Sequence, residues 1–192
     1  MALFWIITLV LVTLSHGFDR TRLWKIPPPM KGFQIQPALG RWYYQFRIAP
    51  CSWSGSNEFT DYEVLMTLQG KSTIVFSRTM RNDGICNTVT SKAYLTSQPG
   101  VINIKDPLGN NFSGLQIFTA TDYKTFSITY TCTKKSVSGD KCDDAMVNVR
   151  TRMRKPGLQV IQRINNALMQ LWGVTLEQFQ RVLHSKPCFY KW

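Results

Sequence analysis

The sequence predicts an all-β domain, an eight-stranded antiparallel up-and-down β-barrel (a calyx) with one C-terminal α-helix packed on its outside. Between Arg41 and Arg154, short β-branched and aromatic runs alternate with turn formers, and no long segment has a helical period. Eight such runs can be separated, joined by connections short enough to make successive strands antiparallel neighbours. Only afterwards does the period lengthen, with Leu158, Ile161, Ile164, Leu168 and Leu171 recurring every three or four residues. A meander followed by a single amphipathic helix fits a closed barrel better than a Greek-key sandwich.

Taken in order, residues 1–17 hold an uncharged apolar stretch from Ala2 to Val12 and small residues at Ser15 and Gly17. This is the pattern of a secretory signal, so a secreted, extracellular product is expected, with a single domain over 18–192. No later run approaches the roughly 20 apolar residues of a spanning helix, so no transmembrane anchoring is expected. Ile26 to Met30 is proline-rich and, with the stretch to Ala38, forms an extended lead-in that could cross under the barrel. The strands are expected at about 41–49, 60–69, 72–80, 85–96, 100–105, 114–121, 125–133 and 145–154. Turn formers separate them, among them Gln69-Gly70, Asn82-Asp83-Gly84, Gln98-Pro99-Gly100 and Asp122-Tyr123-Lys124. Pro156 can open the helix and Gly173 can end it, while Thr175 and Gln178 have the spacing of a capping box for a second short helix.

The formal net charge is +12, which favours anionic partners by long-range attraction and says nothing of fold. The positive residues are scattered without a binding motif, so nucleic acid is not an expected partner. Removing the signal leaves His184 as the only histidine, and no Cys-x-x-Cys spacing occurs. A metal site or histidine-based triad is therefore not expected, nor is any cofactor. Five cysteines in an exported chain should pair, and the odd count leaves one over. Asn111-Phe112-Ser113 is a glycosylation sequon, with Asn111 as the acceptor.

Three separated motifs resemble those of the lipocalin family. Gly40-Arg41-Trp42 is similar to its Gly-x-Trp, Thr121-Asp122-Tyr123 to its turn between the sixth and seventh strands, and Arg154, at the end of the eighth expected strand, to the lone arginine of its third motif. The resemblance implies that Trp42 closes the barrel floor and that Arg154 packs across its ring, a cation–π contact. Asp83-Gly84-Ile85-Cys86 is similar to a segment of the subgroup containing alpha-1-microglobulin, the complement component eight gamma subunit, prostaglandin D synthase and epididymal lipocalins. It implies a Cys86–Cys188 disulfide. Cys132 and Cys142 flank the turn between the seventh and eighth strands and are expected to bridge that hairpin. Cys51 is then the free thiol, at the place of the unpaired loop cysteine of alpha-1-microglobulin and the complement subunit.

The leading functional expectation is binding and transport of a small hydrophobic ligand, such as a retinoid, fatty acid or other lipid, in the barrel cavity. Alternation from Trp42 turns Tyr44 and Phe46 inward, and the subgroup pattern adds Tyr62, Val64, Met66 and Leu68 to the inner wall. The competing reading is that these side chains simply fill the barrel. In the eighth strand, alternation by hydrophobicity would bury Val147, Val149 and Met153. The family pattern instead places that face outside, under the helix, and sends Arg152, with Arg150, into the cavity. A buried guanidinium there calls for an anionic ligand. Catalysis is not expected: prostaglandin D synthase places its nucleophilic cysteine where this chain has Val64, an aliphatic side chain. The alternative function runs through Cys51, as a tether to a protein partner or as a reductant of haem or radicals.

Overall fold

The computed structural model describes residues 20–23, 25–49, 59–105, 114–139 and 141–188. The expected signal segment, Cys51 and Asn111 lie outside the described residues. Eight strands form the wall: β1 (Gly40–Ile48), β2 (Thr60–Gln69), β3 (Thr73–Asn82), β4 (Ile85–Leu95), β5 (Val101–Lys105), β6 (Gly114–Thr121), β7 (Phe126–Lys135) and β8 (Cys142–Thr151). Each pairs antiparallel with the next, and β1 closes the barrel by pairing with both β8 and β2. One helical turn, α1 (Ile35–Ala38), precedes the barrel; α2 (Leu158–Trp172) and a two-residue strand, β9 (Gln180–Arg181), follow it. The lead-in is thus not extended throughout. Gly173, with φ +66°, ends α2 in the left-handed conformation that glycine adopts without strain, donating its N–H to the Met169 carbonyl at 2.9 Å. The capping box at Thr175 and Gln178 forms, but the element it opens is a single 3-10 turn, Leu176–Gln178.

Two apolar clusters hold the fold. One lies between the outer wall and α2, where Val147, Val149, Ile128 and Tyr130 meet Ile164, Leu168 and Trp172. The other fills the barrel and includes Trp42, Tyr44, Val64, Met66, Ile74, Phe76 and Phe118. The outward placement of Val147 and Val149 is the one implied by the family pattern, and Met153, which hydrophobic alternation would bury, is 66% exposed.

Two expectations need correction. A bulge between Tyr44 and Phe46 places Gln45 out of register, so alternation reverses and Phe46 joins Ile48 in the cluster beneath α2 instead of facing inward. The eighth strand begins and ends three residues early: Arg152 has already left the ladder, its backbone N–H bonding to the Thr125 carbonyl at 2.9 Å.

The β1–β2 seam is only half zipped. Direct pairing covers Gly40–Tyr43 against Glu63–Met66. Above it the C-terminal segment lies in the seam: β9 pairs with Phe46 and Arg47, Val182 donates to the Gln45 carbonyl at 2.8 Å, and Asp61 donates to the Leu183 carbonyl at 2.7 Å. Asp61 also accepts the Lys186 N–H, and Cys188 is joined to Cys86 of β4. Cys132 and Cys142 bridge the β7–β8 hairpin.

Candidate functional site: the barrel interior

The closed end explains the motif residues. Arg152 lies over Trp42 with its guanidinium carbon 3.6 Å from the ring centroid. Its nitrogens donate to the carbonyls of Tyr123 at 3.1 Å, Arg41 at 2.9 Å and Pro37 at 2.8 Å, joining the turn, the first strand and the lead-in. Gly40 has φ +91°, a conformation that favours glycine, and a Cβ there would press on Arg152 Nη1 at 3.2 Å. Trp42 Nε1 donates to the Ala38 carbonyl at 2.8 Å, a contact that the turn of α1 presents. Thr121 Oγ1 donates to the Phe126 carbonyl and accepts the Tyr123 N–H, while Asp122 accepts the N–H groups of Thr125 and Phe126. Burial works against the Asp122 carboxylate, but the Thr125 hydroxyl, these N–H groups and Arg163 outweigh it and hold its pKa below the ordinary value.

The arginine across the tryptophan is therefore Arg152, not Arg154, and Arg152 is committed to the floor instead of the cavity. Arg154 turns to the outside, donating to Glu63 at 2.7 Å, facing Asp61 at 3.8 Å and covering the Tyr43 ring. The physical reason is the early end of β8, which brings the second of three alternating arginines to the rim of the floor.

Above the floor, Tyr44, Val64 and Met66 are buried in the inner cluster, with Tyr62 and Leu68 partly buried against it. The rings of Tyr44 and Tyr62 stack at 3.9 Å between centroids. Arg150 takes the inward place in β8 and is 1% exposed. Its guanidinium sits 3.7 Å from Met66 Sδ, 3.5 Å from Ser127 Oγ, and over Tyr44 and Phe118 at 5.7 and 5.6 Å. Its Nε has no hydrogen-bond partner, and none of the ion pairs among the described residues includes it. Arg78, 7% exposed, donates to Ser91 Oγ and covers the Phe76 ring at 4.8 Å. Sequence reasoning missed Arg78, although it continues the inward alternation of Ile74 and Phe76.

Burial lowers the Arg150 pKa, with neighbouring Arg78 adding to the effect and the Tyr44 phenol opposing it. Burial pushes the Tyr44 phenol up, but Arg78 and Arg150 outweigh it and hold its pKa below the ordinary value; Tyr62 is driven up by burial and by Tyr44. The interior is thus electropositive. It is also closed: Arg150, Met66, Ile74, Phe76 and Phe118 are each less than 2% exposed, so a ligand must move flexible side chains to enter.

No three His, Cys, Asp or Glu side chains among the described residues converge on a metal site. No helix among them is long and apolar enough to cross a membrane. A separate cleft of about 420 Å³ opens outside the barrel between Ile26–Pro29 and Val101, Leu115 and Ile117. It lies away from the motifs, and none of its lining side chains has a buried unpartnered polar atom.

The fold has solved counterparts. A cockroach major allergen, Per a 4, superposes with a TM-score of 0.65 at 18% identity, covering 84% of this chain and 95% of that one. Apocrustacyanin C1 superposes with a TM-score of 0.63 at 17% identity, covering 88% of each chain. Lobster apocrustacyanin A1 gives 0.59 at 18%, covering 84% of this chain and 94% of that one. At these identities the likeness extends to the fold alone. No curated protein sequence matches significantly. A family profile does match residues 39–186, the barrel, its helix and the C-terminal segment, and by it the chain belongs to the lipocalin / cytosolic fatty-acid binding protein family.

Proposed function

We propose that this protein is a secreted carrier that holds a small hydrophobic ligand bearing an acidic group inside its barrel. The observation that supports the acidic group is Arg150, buried among Tyr44, Met66 and Phe118 without a counter-ion. Burying an unpaired guanidinium is costly, and an incoming carboxylate relieves that cost while gaining charge-assisted hydrogen bonds. Arg78 supplies a second positive group on the neighbouring wall. Tyr44, Tyr62, Val64, Met66 and Leu68 contact the apolar body. Met66 and the two arginines are unbranched and adaptable, so they are the side chains that move aside. The two disulfides suit an exported protein. The Cys86–Cys188 pairing supports placing the chain beside the alpha-1-microglobulin subgroup, and Val64 at the place of the prostaglandin D synthase nucleophile favours a carrier.

The test is the affinity of palmitic acid and of cetyl alcohol for the protein and for Arg150→Leu, by displacement of a fluorescent fatty acid. The acid should bind the unmodified protein about tenfold or more tightly than the alcohol, and Arg150→Leu should remove the difference. Equal binding of acid and alcohol to the unmodified protein defeats the proposal of an acidic ligand.

A further inference from the structure

We infer that the ligand is an oxygenated amphiphile, an acid carrying hydroxyl or carbonyl groups along one edge of its apolar body, rather than a plain hydrocarbon acid. This deepens the carrier reading above and rests on it. The inference comes from an asymmetry in the inner wall. The side formed by β2 and β3 is apolar from the level of Arg78 down to the floor, with Val64, Met66, Ile74 and Phe76 in the inner cluster. The opposite side is not.

On β6, β7 and β8 the inward positions besides Phe118 and Arg150 include Gln116, Ser127, Thr129, Thr131 and Asn148, alternating with outward Ile117, Ile128, Tyr130 and Val147 in the cluster beneath α2. Gln116, Thr129 and Thr131 are 2%, 0% and 1% exposed. Gln116 Nε2, Thr129 Oγ1 and Thr131 Oγ1 each lack a hydrogen-bond partner. Thr131 stands directly opposite Gln116 and Thr129 directly opposite Asn148, so the groups form one continuous patch. Facing residues place their Cβ atoms about 5 Å apart.

Buried polar atoms are nearly always bonded, and each orphan carries a desolvation penalty. Three on one wall, all facing inward on the same side as the unpartnered Arg150 Nε, point to partners that arrive with the ligand. The patch is also aligned with the acid site. Ser127 Oγ lies beside Arg150 at 3.5 Å, and from Ser127 to Thr131 the strand climbs about 14 Å. An acid seated on Arg150 near the floor would carry its oxygen groups past Thr129 and then past Thr131 and Gln116. Its apolar edge would lie against Val64 and then Tyr62, the inward residues of β2 that follow Met66 toward the open end.

The experiment compares palmitic acid, cetyl alcohol and palmitic acid hydroxylated at mid-chain, again by displacement of a fluorescent fatty acid. The proteins are the full chain with its disulfides and two variants, Gln116→Leu/Thr131→Val and Thr129→Val. The unmodified protein should bind the hydroxy acid about tenfold more tightly than palmitic acid, the worth of one well-made buried hydrogen bond. The double variant should bring the two acids within about twofold, and Thr129→Val should narrow the gap on its own. Thermal melts of both variants should show midpoints no lower than the parent, because each substitution removes an unsatisfied buried polar group and keeps its approximate shape. Equal binding of the two acids to the unmodified protein, with cetyl alcohol still weaker, overturns the oxygenated ligand and leaves the carrier reading intact. A preference for the hydroxy acid that survives in both variants also overturns it. If neither acid outbinds the alcohol, the acidic ligand on which this inference rests fails; if none of the three displaces the probe, the carrier reading itself fails.

Discussion

Replacing Arg152 by leucine removes the one side chain that ties the lead-in, the first strand and the β6–β7 turn together. Three charge-assisted hydrogen bonds to the carbonyls of Pro37, Arg41 and Tyr123 disappear, as does the guanidinium over Trp42. Arg152 is partly exposed, so water can rescue some of the carbonyls, and about 1 kcal/mol per bond is a discounted figure. The cation–π contact adds about 1–2 kcal/mol. The expected loss is about 3–5 kcal/mol, a large part of the stability of an ordinary domain. With a urea slope of about 2 kcal/mol per molar, the unfolding midpoint followed by far-ultraviolet circular dichroism should fall by about 2 M. Arg152→Lys should recover little of it, because an ammonium cannot reach three carbonyls from one plane. Arg154→Leu is the control: Glu63 keeps its partner Arg41, so the loss should stay near 1–2 kcal/mol, about what a partly exposed pair contributes. If Arg154→Leu proves as damaging as Arg152→Leu, the assignment of the floor arginine is wrong.

Two further outcomes follow from the seam and its staple. Burial holds the His184 imidazole below its ordinary pKa of 6.5, with Arg154 acting in the same direction and the Tyr44 carbonyl, Asp61 and Glu63 opposing. A depressed folded pKa means that its contribution is complete above about pH 6.5 and is lost as the pH falls through the folded value. The melting temperature should therefore drop more between about pH 7.5 and about pH 5 in the parent than in His184→Gln, and identical profiles would refute this. Of the disulfides, Cys86–Cys188 closes 102 residues and Cys132–Cys142 only 10. On chain-entropy grounds Cys86→Ser/Cys188→Ser should lose about 4 kcal/mol and Cys132→Ser/Cys142→Ser no more than about 3, measured by urea unfolding; the reverse order would count against that account.

The wall, the helix and the floor motifs were legible because each is written in a period or a local turn. Val64, Met66 and Leu68 could be assigned to the inner wall, and Val147 and Val149 to the outer face, from spacing combined with the family pattern. What escaped depends on register. Nothing around Gln45 announces a bulge, since Tyr44, Gln45 and Phe46 suit a strand in either phase, yet one extra residue moves Phe46 to the other face. Arg150, Arg152 and Arg154 share one phase, so alternation alone does not distinguish the buried, the floor and the surface arginine. The residue at which β8 leaves the sheet decides it. Gln116, Thr129 and Thr131 passed unnoticed because threonine and glutamine suit a solvent-facing strand equally well, and only the closure of the barrel turns them into buried groups.

The half-zipped seam also gives the last residues of the chain a protective duty. Upstream of Glu63 and beyond Tyr43, the edges of β2 and β1 are covered by Gln180 to Lys186 rather than by each other. A protease cut ahead of Gln180, together with reduction of Cys86–Cys188, would bare two strand borders rich in unpaired amides, a template on which other molecules can stack. Loss of the tail thus endangers solubility first, before any pocket chemistry is touched.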